Sequence, residues 1–132
     1  MGAEIHYSGR ITFNEPVPTT AVEGELAELL GLENLFSLSF TPDNRALTGL
    51  VAGDGHIFGH TSQWCRALYL LEEIARREQR LLTAEATWFS EPGPFRGILV
   101  VDTSGRFHDV VDGEPAEHHR QSHCTCYAPR ER

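Results

Sequence analysis

A chain of 132 residues is long enough for one hydrophobic core and too short for two, and its 40% apolar and 23% charged content excludes disorder throughout. Nineteen acids against eleven basic residues give a formal net charge of −8, which opposes adhesion to nucleic-acid phosphates and anionic lipid, so neither is an expected partner. All eleven basic residues are arginine, so no lysine is present to form a Schiff base or serve a phosphate loop.

No apolar run approaches the roughly 20 residues of a membrane span, and no secretory-signal pattern opens the chain, so the expected location is the cytoplasm. Three cysteines make no disulfide framework, and Cys65 is expected as a reduced thiol in or near the core. The acidity is uneven. Residues 1–65 carry eight acids and two arginines, whereas residues 66–132 carry eleven acids and nine arginines.

In EIHYSGRITF, Ile5, Tyr7, Gly9, Ile11 and Phe13 alternate with His6, Ser8, Arg10 and Thr12, the period of a half-buried strand. This places His6 and Arg10 toward solvent or a partner. The prolines of NEPVP are expected to end the strand, because proline cannot donate to a ladder. TTAVEGELAELLG then predicts a short helix. Thr20 and Glu23 have capping-box spacing, Val22, Leu26, Leu29 and Leu30 share a face, and Gly31 suits the position after the last turn. Gly24 weakens that helix by ~1 kcal/mol relative to alanine.

LFSLSF and ALTGLVA flank the turn residues TPDN and read as a hairpin. GDGHIFGH is a glycine-punctuated loop before the strongest helix, TSQWCRALYLLEEIARREQR. In that helix Trp64, Ala67, Leu68, Leu71, Ile74 and Ala75 form the buried stripe, and Glu72 with Arg76 and Glu73 with Arg77 are expected as ion pairs on the wet side. Arg76, Arg77 and Arg80 make a small basic patch that neighbouring glutamates neutralise. LLTAEATWF reads as a strand, EPGP as a break, and RGILVVD and RFHDVVD as two strands joined by Thr103-Ser104-Gly105, with Gly105 available for positive φ.

The order β-α-β-β-α-β plus a further strand or hairpin predicts an α+β domain over residues 1–114, followed by a polar Cys/His tail over 115–132. The expected architecture is ferredoxin-like: an antiparallel sheet with two helices on one face. The uncovered face is the place for a partner. Trp88 or Phe89 and one set of first-strand side chains would furnish it, and a homodimer through sheet faces or edges is compatible with this arrangement.

YSGRITFNEP near the start and RGILVVDTSGRFHDVVDG near the end resemble a group of small actinobacterial and actinophage proteins without assigned function. These open on an aromatic-x-x-G-x-I strand that runs into prolines and close on a hairpin ending in a D-G turn. The resemblance implies the fold and a source and carries over no site, and the arginine-only basic set points to the same kind of source.

Two stretches hold candidate chemistry. In HHRQSHCTCYAPRER, His119 and His123 have a histidine-pair spacing for zinc, Cys124 and Cys126 can add two thiolates, and His118 is a spare donor. The cysteine pair is one residue tighter than the usual zinc spacing and no apolar neighbour is present to bury an ion, so a solvated polar end is the plainer account. In GDGHIFGHTS, Asp54, His56 and His60 precede a helix start where Thr61 and Ser62 can hold an anion, and the same three can ligate a metal or move protons. The plainer account is a β-to-helix connection that Thr61 or Ser62 caps.

Glu85 and Glu91 form no recognisable catalytic pair, and His108 and Asp109 are expected to face solvent from a strand. The reading adopted is a noncatalytic binding protein, a phage or bacterial modulator of another protein or small ligand. The alternatives are a zinc- or redox-responsive regulator acting through the tail, and a small metal-dependent hydrolase using Asp54, His56 and His60.

Overall fold

The computed structural model describes residues 4–32, 36–52, 57–58, 62–91, 96–111 and 114–115. In chain order these form β1 (Glu4–Pro18), a 3-10 turn (Thr19–Ala21), α1 (Glu23–Gly31), β2 (Phe36–Phe40), β3 (Ala46–Ala52), β4 (Ile57–Phe58), α2 (Ser62–Glu78), β5 (Leu82–Glu91), β6 (Arg96–Val101), β7 (Phe107–Val111) and β8 (Glu114–Pro115). The fold is α+β: six main strands lie in one antiparallel sheet, ordered β2-β3-β1-β5-β6-β7, with β8 on β7 and β4 on β1. The short strand β4 falls in the stretch whose glycines suggest only a loop.

The alternation of β1 is expressed as expected. Tyr7, Ile11 and Phe13 are buried, while Ser8 and Arg10 are exposed. The strand does not end at its prolines. After Phe13 pairs with Leu82, β1 continues along β3 alone, with Val17 opposite Leu47 and Pro18 opposite Ala46. Backbone N–H groups alternate between the sides of a strand, and Thr19 N–H donates to Arg45 O on the β3 side. Pro18, one residue earlier, therefore aims its nitrogen away from β3, where no ladder bond is lost, and Pro16 lies in the stretch between Thr12 and Val17 where the register shifts. The Arg80 guanidinium donates to the carbonyls of Glu15 and Pro16.

Helix α1 starts later than its capping-box spacing predicts. Thr19–Ala21 turn as a 3-10 segment and Val22 is the N-cap, with no side-chain cap bond. Val22 is fully buried, so packing fixes the helix start where capping chemistry does not. Leu29 is buried and Leu26 packs against the core, but Leu30 is 49% exposed, and the helix closes on Leu32 without Gly31 entering positive φ.

Helix α2 buries the expected stripe. Trp64 stacks on Tyr7 at 4.3 Å between ring centroids and meets Phe36 at 6.5 Å, which ties the helix to β1 and β2. It ends with Gln79 at φ 58° and Arg80 N–H on Ala75 O, a Schellman closure. The expected pairs between Glu72 and Arg76 and between Glu73 and Arg77 do not form. Arg76 pairs with Glu73, and Arg77 reaches across to Glu25 of α1 and to Glu78. Arg66 grips Glu28 through two bonds, 2.5 and 2.9 Å long. These clamps hold the Glu25 and Glu28 carboxyls below their ordinary values and bind α1 to α2 over one face of the sheet.

Candidate functional site

Among the described residues no element covers the sheet face opposite the helices, and that face is apolar where β5, β6 and β7 meet. Register sets Thr87 beside Ile98 and Ile98 beside Val110, with Phe89 beside Arg96 one step along. Ile98 is 52% and Phe89 44% exposed, and Val100 and Val51 also show large apolar area to solvent. In β6 the inward set Gly97, Leu99 and Val101 alternates with Arg96, Ile98 and Val100, so both faces of that strand are mostly apolar. That is the pattern of a strand covered on both sides, and it is legible in the sequence RGILVV.

These residues floor a shallow groove of about 670 Å³, lined by Thr87, Phe89, Arg96, Ile98 and Val110 together with Trp88 and Gly97. Of the two residues expected as alternatives for the partner face, Phe89 takes that place and Trp88 belongs to the other side. It stands opposite buried Tyr7, is 8% exposed, and lies across Gly97, where an added Cβ would sit 2.5 Å from the indole. The bare glycine lets the ring lie flat under the groove. A second hollow of about 310 Å³ lies between the helices, but the Arg66–Glu28 pair occupies its wall.

At the end of the β6–β7 hairpin, Asp102 organises the turn. Its Oδ1 accepts from Ser104 N–H at 2.8 Å, Ser104 Oγ at 2.6 Å and Arg106 N–H at 3.1 Å, while Oδ2 pairs with His108 Nε2. Desolvation pushes the Asp102 carboxyl up, but the Ser104 hydroxyl, the Arg106 amide and His108 outweigh it and hold the group well below the usual carboxylate range. Gly105 takes φ 85° and completes the three-residue turn, as expected. His108 is thus held against Asp102 rather than simply facing solvent. Its pairing with Val100 puts it on the groove side of the sheet, two residues from Val110.

The other unforeseen residue is Glu72. It is 1% exposed, and its Oε2 accepts the buried Phe107 N–H at 2.7 Å. A single helical stripe read from sequence misses it because β7 continues the sheet and brings the Phe107 amide to α2. The available signal was its position four residues after Leu68.

Asp54, His56, His60 and Thr61 lie outside the described residues, as do His118, His119, His123, Cys124 and Cys126. Ser62 is the first residue of α2, and neither its side chain nor that of Cys65 is described. Among the described residues no group of three or more His, Cys, Asp or Glu side chains could hold a metal ion. No helix among them is long and apolar enough to cross a membrane. The chain matches no family model, no curated protein and no solved structure.

Proposed function

We propose that the chain is a noncatalytic binding protein on a ferredoxin-like scaffold, and that its uncovered sheet face receives an apolar surface carrying an acidic group. The scaffold reading rests on the order β2-β3-β1-β5, in which the four strands of a β-α-β-β-α-β unit alternate antiparallel, with β6 and β7 as an added hairpin. The binding reading rests on one observation, the groove that Phe89, Ile98 and Val110 floor and Arg96 borders. Such an apolar floor with one convergent charge orients an amphipathic anion.

Titration with the apolar anion 1-anilinonaphthalene-8-sulfonate, at low chain concentration, tests this. Saturable binding to the native chain is expected, weakened about tenfold or more by Ile98→Asp or Arg96→Glu at unchanged circular dichroism. Absence of saturable binding, or binding indifferent to both substitutions, would refute the reading.

A further inference from the structure

Resting on the reading of the uncovered face as the binding face, we infer that its partner is a second copy of this chain, packed face to face about a twofold axis between β1 and β5. Three main strands lie on each side of that line, and their lengths match across it. β2 and β7 have five residues each, and β3 and β6 have seven and six.

One row of side chains crosses this face. Ser37 stands beside Val51, Val51 beside Arg10, and Arg10 beside Glu85. Continuing the Ala86–Leu99 register by one residue sets Glu85 beside Val100, which pairs with His108. Read outward from the axis, the row is cation, valine, polar on one side and anion, valine, polar on the other. A twofold rotation lays Arg10 over Glu85 of the second copy, Glu85 over its Arg10, and Val51 over its Val100. A closed dimer needs this self-complementarity.

Arg10 and Glu85 are exposed and adjacent, yet they make no ion pair with each other, so both charges are available across the axis. The chain carries −8 overall, and setting Arg10 over Glu85 across the axis adds no like-charge contact to that repulsion. Six strands about 4.8 Å apart and about 20 Å long project roughly 500 Å². Side-chain relief raises the accessible area toward the ~800 Å² per partner of a standard interface.

Sedimentation equilibrium of the full chain tests the inference, and a dimer is expected. Arg10→Glu and Glu85→Arg each set like charges across the axis twice and are expected to weaken the dimer about tenfold. The double substitution Arg10→Glu with Glu85→Arg is expected to restore it. Mixing the two single variants should give a heterodimer, because each then meets its opposite charge. A native chain that stays monomeric overturns the inference, as does a dimer that neither single substitution weakens. In either case, saturable naphthalenesulfonate binding that Ile98→Asp abolishes would leave the reading of the face standing without the second copy. Loss of probe binding in every monomeric variant would remove that reading itself.

Discussion

Replacing Glu72 with methionine removes the acceptor of the Phe107 amide while keeping side-chain length and helix propensity. The donor is buried at the start of β7, and the carboxylate that meets it at 2.7 Å is 1% exposed, so water replaces neither. A buried amide left without its acceptor costs about 1–3 kcal/mol. Relief of the desolvated carboxylate offsets part of this. The expected net loss is about 2 kcal/mol. With a urea dependence of about 1.5 kcal/mol/M for a chain of this size, the unfolding midpoint falls by about 1.3 M. Glu72→Gln retains an oxygen acceptor and should lose less than half as much. Hydrogen exchange at the Phe107 amide, read in the native state, should quicken in the methionine variant and stay near the native rate in the glutamine one. Equal stability of Glu72→Met and the native chain would refute the reasoning, and so would a glutamine variant less stable than the methionine one.

Gly97→Ala drives a methyl group into the Trp88 indole, 2.5–2.7 Å from three ring atoms, and is expected to cost about 1–3 kcal/mol. Calorimetry should show a melting temperature about 5–10 °C lower, and an unchanged midpoint would mean that Trp88 does not lie across Gly97. Asp102→Asn should cost about 1 kcal/mol at neutral pH, a modest figure because the carboxylate is 37% exposed and screened. Because the folded carboxyl titrates below its unfolded value, this stability is fully present above about pH 4 and is lost as pH falls through the depressed folded value. Urea unfolding of both chains should therefore converge in acid, and a gap that widened there would reverse the assignment.

Much of the sheet is legible in the sequence because its strands are covered on one side only. Tyr7, Ile11 and Phe13 announce β1 by alternation, and Phe36 and Leu38 do the same for β2. Misreadings occur where tertiary contacts override a local signal. Thr20 and Glu23 have the spacing of a capping box, but burial of Val22 places the helix start beyond them. Two prolines fail to end β1 because Pro16 falls where the register shifts and Pro18 aims its nitrogen off the ladder, while Arg80 binds the strand's carbonyls from 64 and 65 residues away. Glu72 looks like a helix-surface acid in sequence, since nothing local says that Phe107, 35 residues later, will present its amide there. The groove follows from apolar alternation on both sides of RGILVV, though the indole beneath it depends on register: only the pairing of Trp88 with Gly97 lets the ring cross β6.

The energetics also indicate why charge governs binding at this face. Val51, Phe89, Ile98 and Val100 are each between 38% and 52% exposed. Burying the exposed half of such a side chain contributes about 1 kcal/mol, so eight of them in two copies supply about 8 kcal/mol. Association itself costs about 4–15 kcal/mol in lost translation and rotation. Apolar burial alone therefore leaves the dimer near balance, and the two symmetry-related Arg10–Glu85 contacts set its strength. The helix layer has no comparable reserve, because Arg66 and Arg77 already spend their charge on Glu28 and Glu25. A surface that is half apolar, with its charges balanced about a central line, associates when those charges alternate across the line and separates when they match. Reversing Arg10 or Glu85 alone is therefore a sharper test of this face than removing any of its apolar side chains.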